Sequence, residues 1–184
     1  TLTAKTGSVS ATAGLTNTVG APATVAVQAG DAQSATVNTA FSAALQVKVT
    51  DTYGNVVPGA VVTYAAPVGA VASATLSATT ATTSAAGLAS VTATANTKSG
   101  GFAVTASVAG VVTPASFALT NNPGAQTGVA VVTGGGQSAT VNTGFTTALQ
   151  AKVSDTYGNG VPGVTVTFTA PASGAKASLS APSA

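Results

Sequence analysis

Two copies of one short segment hold most of the side-chain chemistry in this sequence. They are Asp51-Thr52-Tyr53-Gly54-Asn55, followed after two residues by Pro58-Gly59, and Asp155-Thr156-Tyr157-Gly158-Asn159, followed likewise by Pro162-Gly163. A carboxylate and a carboxamide so close together suit either a cation site or the capping of backbone amides in a turn. The rest of the inventory favours the turn. Calcium takes six to eight oxygens, several of them carboxylates, and Asp31, Asp51 and Asp155 are the only acidic side chains among 184 residues. Asp51 and Asp155 occupy the same place in different copies, and Asp31 is replaced by Gly135 in the second. Gly54 and Gly158 supply positive φ, Asn55 and Asn159 tolerate the left-handed region, and Pro58 and Pro162 fix φ ahead of Gly59 and Gly163. All ten residues are therefore expected to be structural.

Other chemistries fare worse. There is no His, Cys, Glu, Arg, Met or Trp, and charged residues make up 4% of the chain, against about 25% in ordinary soluble domains. General bases, thiol nucleophiles and transition-metal ligands go with them. A Ser–Lys pair is the remaining catalytic option, but each of the 5 Lys sits among Thr, Ser and small residues without a distinctive frame. No catalytic residue, metal or cofactor is expected, and the chain reads as no enzyme. A Lys–Asn isopeptide needs a buried lysine, whereas Lys48 shares the outward parity of Gln46 and Thr50. Thr79 to Thr83 is too short and loop-like for an ice-binding ladder, and three Tyr without Trp make no sugar platform. A net charge of +2 spread along the chain offers nothing to a phosphate backbone, so nucleic acid is not a partner.

The elements that position these residues come from a repeat. Gln33-Ser34-Ala35-Thr36-Val37-Asn38-Thr39 recurs letter for letter at Gln137 to Thr143, an offset of 104. The offset holds for Phe41 and Phe145, Leu45 and Leu149, Lys48 and Lys152, and upstream for Leu15-Thr16-Asn17 and Leu119-Thr120-Asn121. After Pro67 and Pro171 it slips by one, as an indel in a loop would require. Residues 1–19 read as the C-terminal strands of a preceding repeat, 20–123 as a complete repeat, and 124–184 as the N-terminal part of a following one. A longer array is the preferred explanation over completion by neighbouring chains, and any secretion signal would lie outside this window.

Within 20–123 the apolar period is two. Val25 and Val27, then Leu45, Val47 and Val49, then Ala60, Val62 and Tyr64 alternate with polar or small residues. Val91, Ala93 and Ala95, then Phe102, Val104, Ala106 and Val108, then Phe117 and Leu119 follow. With a short strand near 74–78, about seven strands result, the profile of an antiparallel β-sandwich. Val164, Val166 and Phe168 predict another strand in the second copy. Apolar residues reach 45% and mean hydropathy is +0.47, yet Ser, Thr, Gly or Pro break each apolar stretch well short of the roughly 20 residues of a spanning helix. No membrane insertion is expected in this segment.

The run Asp-x-x-Gly-Asn-x-Val-Pro-Gly-x-x-Val-x-Tyr/Phe resembles the bacterial immunoglobulin-like group 1 domain, found in tandem in invasin- and intimin-type adhesins. Ser84 to Val91 resembles that family's Gly-then-strand segment, and Gly101-Phe102-Ala103-Val104-Thr105-Ala106 its Gly-Tyr-x-Val-x-Ala strand. The resemblance implies an all-β fold of tandem immunoglobulin-like sandwiches with Greek-key connections, outside the cell or on its surface. The scarcity of charge departs from the family, so receptor binding is not inherited from it. The expected function is a structural repeat of a bacterial extracellular stalk or self-assembling filament. The alternative is a ligand-binding adhesin module acting through loops such as 68–73. Expected partners are copies of the chain itself, with a host or neighbouring cell's surface as the second class.

Overall fold

The computed structural model describes residues 1–181 and 183–184, and among them the chain is all strand and loop, with no helix. β1 (Leu2–Thr6) and β2 (Val9–Ala13) form an antiparallel hairpin turning at Gly7. A sandwich follows, built from β3 (Thr24–Ala29), β4 (Gln33–Thr36), β5 (Leu45–Thr50), β6 (Val61–Ala65), β7 (Ala74–Leu76), β8 (Thr80–Thr82), β9 (Leu88–Val91), β10 (Ala93–Ala95), β11 (Gly100–Val108) and β12 (Ala115–Asn122). β13 (Gly128–Thr133) and β14 (Gln150–Ser154) pair beyond it.

One sheet has the order β4-β12-β11-β6-β8, the other β3-β5-β9, and β10 pairs with β7. The period-two residues meet between them. Leu45, Val47 and Val49 of β5 face Val62 and Tyr64 of β6, Val104 and Ala106 of β11, and Phe117 and Leu119 of β12, all essentially solvent-free. Tyr64 and Phe117 lie stacked with centroids 6.5 Å apart, and Phe41 meets Phe102 edge-on at 6.3 Å. Such pairs add about 0.5–1.5 kcal/mol beyond the burial of their area. The Tyr64 hydroxyl donates to the Ala89 carbonyl at 2.8 Å, so the one polar atom of this core aromatic is satisfied.

Three features depart from what the residue pattern implies, each for a physical reason. The first strand switches sheets: Gly30 (φ 89°) and Ala32 (φ 53°) kink the chain between β3 and β4, and β4 then runs parallel to β12, pairing Gln33 with Leu119. The sandwich is therefore not wholly antiparallel. Thr80–Thr82, expected to be loop, is strand β8 on the far edge of β6. The strand expected over 164–168 does not form beyond a bridge at Thr167. Its counterpart β6 is held between β11 and β8, and the described residues of 124–184 form no counterpart of β11.

The 104-residue offset is repeated in backbone geometry. Val25↔Val49 and Ala26↔Lys48 reappear as Val129↔Val153 and Ala130↔Lys152, with the same bulge between Val27/Ala29 and between Val131/Thr133. Gln33 braces the intervening loop: its Nε2 donates to Gly30 O and Ala43 O while its Oε1 accepts from Ala43 N. Gln137 does the same with Gly134 O, Thr147 O and Thr147 N. What differs is cover. Val25 is 6% exposed and Val129 is 65% exposed.

Candidate functional site

The two Asp-Thr-Tyr-Gly-Asn segments are tight turns closed by the carboxylate. After β5, Asp51 Oδ1 accepts from Tyr53 N and Asn55 N, both at 2.9 Å, and Oδ2 accepts from Asn55 Nδ2 and Gly20 N, both at 3.0 Å. Asp51 N and Asn55 O close the turn from the backbone side, with Gly54 at φ 81°. After β14, Asp155 Oδ1 accepts from Tyr157 N and Asn159 N, and Oδ2 from Gly124 N at 2.9 Å and Asn159 Nδ2 at 2.8 Å. Gly59 and Gly163 take positive φ directly after Pro58 and Pro162, leading the chain out of each turn.

A carboxylate has about four lone-pair sites, and N–H donors fill all four in each copy. That saturation governs the chemistry. The side-chain amide of Asn55 and then the amides of Gly20, Asn55 and Tyr53 hold the Asp51 carboxyl down at about 2, against an opposing push from its burial. For Asp155 burial is the largest influence and pushes upward. The combined bonds from the Asn159 side chain and the Gly124, Asn159 and Tyr157 amides outweigh it and also leave the carboxyl at about 2. A cation could enter only by displacing these donors, and among the described residues no three acidic, His or Cys side chains gather. Asp31 is spent elsewhere, accepting from Ala32 N and, at 2.7 Å, from Ala118 N of β12.

Each turn also reaches outward. Gly20 and Gly124 lie just ahead of β3 and β13, so each Asp fixes the chain segment that leads into the strands of its copy. A Cβ on Gly20 would lie 3.3 Å from Asp51 Oδ2, so the linker passes the carboxylate closely. In the second copy Asn159 goes further. Its Nδ2 donates to Thr97 O at 2.9 Å, and its Oδ1 accepts from Ser99 N at 3.0 Å. Both partners belong to the loop between β10 and β11 of the complete sandwich. That loop is braced from within: Asn121 Nδ2 donates to Ser73 O, Asn96 Oδ1 and Lys98 O, and Asn96 Oδ1 accepts from Lys98 N. Asn121 is buried, and its own Oδ1 has no partner among the described residues.

A cleft of about 600 Å³ lies along the second copy, lined by Phe145, Leu149, Phe168 and Leu179 among others. Their counterparts Phe41, Leu45 and Tyr64 are core residues of the complete sandwich. The cleft is thus lined by loop residues whose counterparts are covered in the complete sandwich, and the carboxamide of its Gln137 is spent on Gly134 and Thr147. Residue types alone pick out the turns but not the grip of Asn159 on 97–99, nor Asn96, Asn121 and Gln33. A signal existed for Asn121, which falls at inward parity after Ala115, Phe117 and Leu119.

No protein-family model matches the chain, and no curated protein matches it. Among solved structures, domains 4 and 5 of the S-layer protein SbsC match at 18% identity over 55% of this chain and 52% of that one, with a TM-score of 0.42. The Escherichia coli adhesin FdeC matches at 19% identity over 79% and 46%, TM-score 0.47, and the D0-D1 domain of intimin at 22% over 60% and 54%, TM-score 0.40. The chain thus spans about half the length of each of these structures.

Proposed function

We propose that this chain is a non-enzymatic structural repeat of a bacterial extracellular stalk or self-assembling filament, of the immunoglobulin-like group 1 type. The observation that carries the reading is the chemistry of the sheet edges. β4, β8, β3 and β9 border the two main sheets, and none of them contains a charged residue. Natural sandwiches commonly protect such edges with lysines or other charges against pairing with a neighbour. On these edges the exposed residues are Thr, Ser, Gln and Ala: Thr24, Ala26 and Gln28 of β3, Ser34 and Thr36 of β4, Thr80 and Thr82 of β8, and Ser90 of β9. Such a surface packs on copies of itself without the cost of desolvating ions.

The repeat supports the same reading, since the β3–β5 pairing and its turn recur after 104 residues as β13–β14, across a short connection that follows β12. The loop at 68–73, Val-Gly-Ala-Val-Ala-Ser, offers an adhesin neither aromatic nor charged contacts. Light scattering of the chain across a concentration and salt series tests the assembly. Association that varies little with salt is expected, because few ion pairs are available to screen. A strictly monomeric chain at high concentration, or assembly abolished by moderate salt, sinks the filament and leaves a passive stalk.

A further inference from the structure

We infer that the Asp-Thr-Tyr-Gly-Asn turn is the receiving half of a joint between successive sandwiches, and that the Asp51–Asn55 turn is built to take the 97–99 loop of a preceding copy of this same domain. The two turns are alike internally. Both carboxylates accept from the Tyr and Asn amides, from the Asn side chain and from the linker glycine. They differ in one respect. Asn159 carries a loop of the preceding sandwich on its carboxamide, whereas among the described residues the Asn55 carboxamide bonds only to Asp51. Exposure follows: Asn159 is 9% exposed and Asn55 is open to solvent, while Tyr157 is 38% exposed against 87% for Tyr53.

The occupant is identified by what Asn159 reads. Its amide donates to a carbonyl and accepts from an N–H two residues on, so it recognises the path of a backbone and no particular side chain. A loop presents that pair only if it is held in shape, and Asn96 and Asn121 hold it here. Asn121 also opens the linker that delivers Gly124 to Asp155. One stretch of chain therefore shapes the loop, tethers the next unit and caps its turn. Asn17 stands 104 residues before Asn121, and Gly20 already caps Asp51. Gly20 thus makes at Asp51 the linker contact that Gly124 makes at Asp155. Because this chain's own 97–99 loop is engaged by Asn159, the partner that fits Asn55 is the loop of a further copy placed ahead of Gly20.

This inference refines the stalk reading, and its test does not depend on self-association. Site-resolved tyrosine nitration, read by mass spectrometry on the full chain, reports the cover over each turn. Tyr53 should react about twofold faster than Tyr157, in line with 87% against 38% exposure. Asn159→Ala should raise Tyr157 to the rate of Tyr53. Asn55→Ala, which loses the same internal bonds, should leave the Tyr53 rate unchanged, and so controls for a damaged turn. In a chain lengthened by a copy of residues 20–123 ahead of Gly20, Tyr53 should slow about twofold, and Asn55→Ala should restore it. An unchanged Tyr157 rate in Asn159→Ala overturns the joint. An unchanged Tyr53 rate in the lengthened chain overturns the assignment of its occupant. Protection in a chain that stays monomeric upholds the joint while refuting the filament.

Discussion

Replacing Tyr64 by Phe isolates one hydroxyl in the centre of the sandwich. The side chain is buried, its ring stacks on Phe117, and its hydroxyl donates at 2.8 Å to Ala89 O. Phe keeps the ring and the stack, so the loss is one buried hydrogen bond, about 1 kcal/mol. For a domain of this size that lowers the melting temperature by about 4–8 °C. The pH dependence gives the sharper test. Burial pushes the Tyr64 phenol up to about 12, against a smaller downward pull from the Val47 backbone, whereas an unfolded tyrosine titrates near 10. The fold thus favours the neutral phenol. Its contribution is complete below pH 10 and is lost as pH rises through 12. Phe has no proton to lose, and every other titrating group is common to both proteins. Urea denaturation followed by circular dichroism should show the variant less stable at pH 7, with the deficit shrinking between pH 10 and 12. Equal stability at pH 7, or a deficit constant to pH 12, would refute the assigned burial and bond.

Phe117→Ala, by contrast, removes a solvent-free ring and should cost about 3–5 kcal/mol in the same assay. At Gly87 (φ 71°) a Cβ would lie 2.8 Å from Val49 O, whereas at Gly54 (φ 81°) it would meet nothing within 4 Å. Gly54→Ala should therefore cost only the left-handed strain, about 1–2 kcal/mol, and Gly87→Ala clearly more, as thermal melts would show. The carboxyls of Asp51 and Asp155 titrate near 2 in the fold and near 3.9 when unfolded. Their contribution is present above about pH 4 and lost as pH falls towards 2. Replacing both by Asn should flatten the acid limb of the stability curve, and an unchanged limb would place the acid sensitivity elsewhere.

The sheet faces were open to reading because alternation makes burial visible: Leu45, Val47 and Val49 could point only one way if Gln46, Lys48 and Thr50 were to reach water. β4 and β8 escaped because Gln33-Ser-Ala-Thr and Thr80-Ala-Thr are held mainly by backbone bonds to one neighbour, which leave no apolar rhythm. Period two at 164–168 was a true pattern without a strand, since a strand needs a partner as well as a face. The turns were recognisable from residue type, yet half of what they touch was not. Asn159 binds main-chain atoms of residues more than fifty positions earlier, and a backbone contact leaves no trace in side-chain identity. Asn121 is the exception: a carboxamide at inward parity signalled a buried polar network.

The parallel pairing of β4 with β12 bears on how the unit responds to tension. The chain enters the sandwich through β3, paired to β5, continues into β4, and leaves from the end of β12, where Gln33 to Thr36 lie beside Leu119 to Asn122 and Val37 N donates to Asn122 O at 2.8 Å. Once β3 has been drawn off β5, traction on the two ends draws β4 and β12 past each other along their length. The rungs between them are then loaded together, unlike those of an antiparallel hairpin pulled from its open end, which break in succession. Rupture therefore requires sliding a whole ladder at once, and Asn121, anchored to Ser73, Asn96 and Lys98, sits within it. A row of such units in series would hold its length under drag until one ladder slipped, then lengthen by the slack of a single unit while the others stayed shut.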